Sequence, residues 1–151
     1  MNEVNIYIET SVQGPGKRAG KYIYVLEAER RGRKETRFGS GSGAGENELA
    51  LRALCDAMGR LIKSCSIRVI TRCGHLRGAI RNGWPKQWQQ DGWKNAKGKT
   101  VGNAELWEKY VDLCKNHKIE AVEWENPHKD WMIKQMSREN EGGQDENSID
   151  H

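Results

Sequence analysis

Apolar residues recur at period two over Val4, Ile6 and Ile8, and "GKYIYVLEAE" is rich in aromatic and β-branched residues, so the chain opens with strands. "QGPG" between them is turn chemistry, and "RRGR" reverses the chain into a third strand, "KETRFGSGS". Three strands joined by short turns predict an antiparallel start. From residue 45 to 62 the period changes. Leu54, Met58, Leu61 and Ile62 recur on one helical face, and Glu46 and Glu48 stand in the first turn, where the helix dipole favours acids. A strand follows at Ile67 to Thr71, then a short helix around Leu76 to Ile80, a tryptophan-rich stretch, a helix near Asn103 to Cys114, a strand "KIEAVEWE" and a last helix from about Pro127. The order βββαβααβα, without internal repeat, predicts an α/β fold.

The length of 151 residues sets one domain as the default and is enough to bury a core. No apolar run approaches the roughly 20 residues of a membrane-spanning helix. The opening "MNEVNIYIET" has no secretory pattern, so a soluble, cytoplasmic protein is expected. Cys55, Cys65, Cys73 and Cys114 show no C-x-x-C spacing and lie in apolar or strand-like contexts, which argues against disulfides and structural zinc. The net charge of +4 is unevenly spread: residues 137–151 carry one arginine against five acids, leaving +8 on the remainder. Residues 1–136 are therefore expected to form the domain and 137–151 an acidic, disordered tail. A basic body favours polyanionic partners.

Two features narrow this expectation. One is Glu9, a carboxylate where the first strand gives way to the turn; it is either a solvated strand end or part of a site at the sheet's rim. The other is "WPKQWQQDGWKNAKGKTVGNAELW", Trp84 to Trp107, which interleaves tryptophans with lysines ahead of an N-x-x-L-W helix start. With the element order, this interval resembles the basic handle of type 1 ribonucleases H, and the resemblance runs from about Val4 to Met136. It implies a ribonuclease H-like fold, a mixed five-stranded sheet flanked by helices and carrying a basic handle.

The resemblance also implies a site in which four carboxylates converge on two divalent cations, one activating water and the other stabilising the leaving oxygen of a phosphodiester. Glu9 of "ETS" stands where the family has the aspartate of D-G-S, and Glu48 of "NELAL" matches the helix glutamate of M-E-L. Asp130, four residues after Asn126 in "NPHKD", matches the acid opening the last helix, or else simply complements that helix's dipole. In "VITRCGHL", Cys73 is expected at the position of the T-D-S aspartate, either as a soft, poor Mg²⁺ ligand or as a small buried cysteine. The implied catalytic set is thus Glu9, Glu48, Asp130 and Cys73, with Glu9, Glu48 and Asp130 as metal ligands for Mg²⁺ or Mn²⁺ if the protein is active.

For binding, the implied contacts are Trp84, Lys86, Lys94, Lys97, Lys99, Asn103 and Trp107, with Ser40 and Ser42 of "SGSGAG" holding a phosphate in a glycine-rich turn. Trp88 and Trp93 are expected in the handle's own core. The leading expectation is recognition of RNA–DNA hybrid or a related duplex with impaired or absent hydrolysis. The alternatives are an active metal-dependent hybrid endonuclease using Glu9, Glu48 and Asp130, and a scaffold that meets another protein through its acidic tail.

Overall fold

The computed structural model describes residues 2–139. Five strands, β1 (Asn2–Thr10), β2 (Ala19–Arg30), β3 (Arg33–Ala44), β4 (Cys65–Thr71) and β5 (Lys118–Ala121), form one sheet in the order β3-β2-β1-β4-β5. β1 pairs antiparallel with β2 and parallel with β4, while β2 pairs with β3 antiparallel and β4 with β5 parallel. The sheet is therefore mixed, and its centre is β1.

Because β1 is covered on both faces, period two sorts its residues into two cores rather than into core and solvent. Val4, Ile6 and Ile8, with Tyr22, Tyr24, Ile67 and Val69, meet the helices α1 (Glu46–Gly59), α2 (Gly74–Asn82) and α4 (Ala104–Cys114). Tyr7, with Ile23, Val25, Phe38 and Ile70, lies under α5 (Lys129–Glu139), whose Met132 and Met136 close the second core. Leu49, Leu51, Leu54 and Met58 of α1 are each at most 1% exposed. Burying a side chain of this size contributes about 1.5–3 kcal/mol relative to leaving it exposed.

The structure departs from the sequence expectations in several places. α1 stops at Gly59, so Leu61 and Ile62 fall beyond it, and Ile62 is 94% exposed. The tryptophan-rich stretch contains a further helix, α3 (Trp84–Gln90), separated from α2 by Gly83 in the left-handed conformation and opened by Pro85. β5 ends at Ala121, and although the Val122 N–H still donates to Val69 of β4 at 3.1 Å, "EWE" lies outside the strand. α5 runs on to Glu139, three residues past the expected domain boundary, and the rest of the acidic tail lies outside the described residues.

The "SGSGA" stretch is not a turn but the end of β3. A Cβ on Gly39 would stand 2.4 Å from the Tyr24 hydroxyl, and one on Gly41 would stand 2.4 Å from that of Tyr22. The glycines make room for two tyrosine rings lying across the strand. Those rings are held from α1 and its cap: the Tyr22 hydroxyl donates to Asp56, and Arg60 donates to the Tyr24 hydroxyl at 3.1 Å. All four cysteines are free thiols, and no described helix is long and apolar enough to cross a membrane.

Candidate functional site

Glu9 follows Tyr7 at period two, so its side chain turns toward α5, where it is 2% exposed. A buried carboxylate is tolerated only when it is compensated, and three groups do so. Trp124 Nε1 and Asn126 Nδ2 donate to Oε2 at 3.2 and 2.9 Å, and Arg72 Nε stands 3.7 Å from Oε1. The Arg72 guanidinium also lies over the Trp124 ring, 4.5 Å from its centroid, and its Nε is buried with no hydrogen-bond partner. Asn126 extends the link: its Oδ1 accepts from the backbone N–H of His128 at 2.9 Å, fixing the turn that leads into α5. One carboxylate thereby ties the end of β1 to the end of β4 and to the entry of the last helix.

Cys73 is not the residue that enters this site. In phase with Ile67 and Val69, it lies in the opposite core, 1% exposed, with Sγ donating to Asn47 Oδ1 at 3.4 Å. Burial pushes its thiol above the ordinary range, so it stays protonated and is a poor metal ligand. Arg72, in phase with Ile70, falls on Glu9's face instead. The signal was present in the sequence: in "TRC" against T-D-S, the residue directly after the threonine is the arginine.

Glu48 is committed elsewhere. Its Oε2 accepts from the backbone N–H of Ala44 at 2.9 Å and from Arg52 Nε at 3.2 Å, one turn along α1. The Ala44 hydrogen bond, with Arg52, outweighs burial and holds its carboxyl below the usual range. Glu48 lines a cavity of about 270 Å³ shared with the Gly14–Lys17 turn and Asn103. Glu9 lines a different one of about 680 Å³, bordered by Lys21, Ser42, Ile133 and Met136. Asp130 sits exposed in the first turn of α5. Among the described residues no group of three or more His, Cys, Asp or Glu is close enough to hold a metal ion; of the expected set, Cys73 lies in the opposite core, and Glu9 and Glu48 line separate cavities. With a guanidinium as Glu9's neighbour, the donor set does not fit Mg²⁺ or Mn²⁺.

The handle is better formed. After α3, Gly92 and Trp93 take positive φ and turn the chain, Lys94 pairs with Thr100 as an isolated antiparallel bridge, and Lys94 Nζ donates to Thr100 Oγ1 at 3.1 Å. The Asn95 side chain accepts from the backbone N–H groups of Lys97 and Lys99 at 2.9 and 3.1 Å, which shapes the basic loop. Lys86, Lys94, Lys97 and Lys99 are all exposed. Trp88 and Trp93 pack against the main core, and Trp84 is 38% exposed.

Trp107 departs from its expected role. It is 1% exposed, with ring centroids 5.4 Å from Trp88 and 5.5 Å from Tyr110, and so it supports the handle from inside and offers no surface to a strand. His75 is exposed, but its ring stands 6.1–6.3 Å from those of Trp84, Trp88 and Trp107, and partial desolvation lowers its pKa. Asn103 precedes α4 in the left-handed conformation at φ 59° and makes no side-chain cap. Ser42 is exposed and lines the Glu9 cavity, while Ser40 is half-buried two residues earlier on the same strand.

A mixed five-stranded sheet in this order, flanked by five helices and carrying a basic handle, defines the ribonuclease H-like class. The RNase H family profile matches residues 1–142, and the chain belongs to that family. A ribonuclease H of Cupriavidus necator is 30% identical over 129 residues, covering 85% of each chain, and one of Oleidesulfovibrio alaskensis is 29% identical over 129 residues, covering 85% of this chain and 80% of that one. Against the ribonuclease H of Chlorobium chlorochromatii, 33% identical over 81 residues, the match covers 54% of this chain and only 56% of the relative. Among solved structures, a type 1 RNase H with the type 2 active-site motif superposes with a TM-score of 0.72 over 99% of this chain and 78% of that one, at 20% identity. A foamy viral protease-reverse transcriptase in complex with RNA/DNA hybrid gives 0.55 over 91% of this chain and 19% of that one, at 14% identity. At these identities the structural likeness is one of fold.

Proposed function

We propose that this ribonuclease H family member binds RNA–DNA hybrid, or a related duplex, through the lysines of its handle, and that it does not cut the duplex by the two-metal route. The observation carrying the second half is the Arg72 guanidinium, 3.7 Å from Glu9 Oε1. At about 4 Å and an effective dielectric of about 20, each pair of like unit charges repels by about 4 kcal/mol, so a dication sharing Glu9 with Arg72 meets about twice that. Glu9's other oxygen is already hydrogen-bonded to Trp124 and Asn126. Support for the first half comes from family membership and from four exposed lysines, Lys86 on α3 and Lys94, Lys97 and Lys99 on a pre-shaped loop, which release counterions on meeting a phosphate backbone.

The test uses fluorescently labelled hybrid, with binding followed by anisotropy and cleavage by gel, in EDTA, Mg²⁺ and Mn²⁺. The expected outcome is binding in all three conditions and intact strands throughout. Robust Mg²⁺-dependent cleavage that Glu48→Gln abolishes would establish the active endonuclease instead.

A further inference from the structure

The cavity beside Glu9 is larger than its ion pair requires. At about 680 Å³ it has the size of a small-ligand site, with Lys21, Ser42 and Arg72 on its polar side and Ile133 and Met136 on its apolar side. Arg72 is fixed before any ligand arrives. One face rests on Trp124 and Nε is turned inward toward Glu9, yet the side chain as a whole remains 34% exposed. That exposure therefore belongs to atoms other than Nε. Lys21 lines the same cavity, its backbone fixed to Ser11 by a reciprocal pair of hydrogen bonds, the N–H donating to Ser11 Oγ at 2.8 Å and the carbonyl accepting from the Ser11 N–H at 2.9 Å. Across the β2–β3 ladder, Lys21 faces Ser42. The opposing charge is withdrawn: Glu9's side chain is 1% exposed, with its oxygens turned to Arg72, Trp124 and Asn126. Glu9 remains part of the cavity wall, but with its carboxylate almost wholly covered and paired, the open polar groups an anion meets are a guanidinium, an ammonium and a hydroxyl.

We propose that this cavity binds the phosphate of a nucleotide unit without a metal ion, with Arg72 and Lys21 as counter-charges, Ser42 as hydroxyl donor, and Ile133 and Met136 packing the attached sugar or base. Arginine suits the task because its planar fork matches phosphate oxygens and its charge is permanent. Ile133, 43% exposed, is one of the few large apolar side chains left at the surface among the described residues, which fits a wall meant to be covered. The phosphate comes either from the backbone of a bound strand or from a free nucleotide. The first source rests on the duplex-binding reading above; the second does not.

The experiment measures hybrid binding by anisotropy across a salt series in EDTA, and nucleoside monophosphate binding by calorimetry. Both are run on the parent, Lys21→Ala, Arg72→Gln, Arg72→Lys and the handle variant Lys94→Ala/Lys97→Ala/Lys99→Ala. Lys21→Ala and Arg72→Gln are each expected to weaken hybrid about tenfold and to lower the log–log salt slope by about one unit, with Arg72→Lys keeping the slope. EDTA leaves the parent unaffected. Because Arg72→Gln also loosens the Glu9 contact, its melting temperature is recorded, and Lys21→Ala, which breaks no ion pair, stands as the independent variant. If hybrid binds and depends on the handle while Lys21→Ala and Arg72→Gln change neither affinity nor slope, this inference fails and the duplex reading stands. If hybrid does not bind at any salt concentration, the duplex reading fails, and the monophosphate titration decides: heat abolished by Lys21→Ala upholds the cavity, and no heat overturns it. Binding that EDTA abolishes also overturns it.

Discussion

Replacing Glu9 with glutamine separates a structural ion pair from a metal ligand by the sign of a single number. Glutamine keeps the volume and one acceptor for Trp124 or Asn126, but removes the charge facing Arg72. Breaking a fully buried pair costs about 3–5 kcal/mol. Arg72 is one-third exposed, at 34%, so solvent recovers part of the loss and the expected cost is about 2 kcal/mol. For a chain of this size each kcal/mol moves the midpoint by about 2–4 °C, so Glu9→Gln should melt about 4–8 °C below the parent. Were Glu9 one of several converging acids, neutralising it in the metal-free protein would relieve repulsion and raise the midpoint. The assay is thermal unfolding by circular dichroism in EDTA at neutral pH, on Glu9→Gln, Arg72→Gln and the double variant. The double should be more stable than the sum of the singles implies, with a coupling of about 1–2 kcal/mol. A Glu9→Gln protein as stable as the parent or more so, or strictly additive singles, would refute the reasoning.

Three further outcomes follow from the same geometry. Replacing Lys94, Lys97 and Lys99 with alanine removes up to three phosphate contacts, so the salt slope of duplex binding should fall by about 2.7 units, and the affinity lost between 50 and 200 mM salt should shrink by about 40-fold; an unchanged slope would move the interface off the handle. At acid pH, burial acts to raise the Glu27 carboxyl, but the hydrogen bonds from His128, at 2.9 Å, and Asn5 outweigh it and hold the group below its usual 4.5. The stability it contributes is therefore fully present above that value and lost as pH falls through the lower folded one. Glu27→Gln should flatten the acid limb of a stability–pH curve, and an unchanged limb would show that the pair contributes nothing. Gly41→Ala places a methyl group 2.4 Å from the Tyr22 hydroxyl and should lower stability by about 1–3 kcal/mol in urea unfolding, whereas a neutral effect would mean the Tyr22 ring moves aside freely.

The element order and the antiparallel start were legible because β1 alternates, β2 is rich in aromatic and β-branched residues, and the turns after them carry glycine and proline. The handle was legible because its lysines and tryptophans are concentrated in one interval. Arg72 was not, because a cation after a strand's last residue reads as a solvated end. Two signals ran against that reading: its place directly after Thr71, and the phase it shares with Ile70 against the phase Cys73 shares with Ile67 and Val69, which sends the two neighbours to opposite faces. The early end of β5 was equally hidden, since Trp124 is drawn toward a carboxylate 115 residues away and no local pattern encodes that. "SGSGA" looked like a turn because glycine usually signals one, and the tyrosine rings that need its flat surface lie on another strand. Tryptophan spacing identified the handle but not depth, so Trp107 looked like a contact residue when it is a foundation.

The hydrogen bond between Asn126 and Glu9 joins residues 117 apart in the chain. Closing so long a loop yields its contact only after the strands between are in place, so this link forms late on the folding path. An interaction absent from the folding transition state leaves the folding rate almost unchanged and acts on the rate of opening. Weakening it should therefore leave refolding nearly as fast and shorten the lifetime of the native molecule, so that the Glu9 cluster acts as a kinetic lock on the last helix.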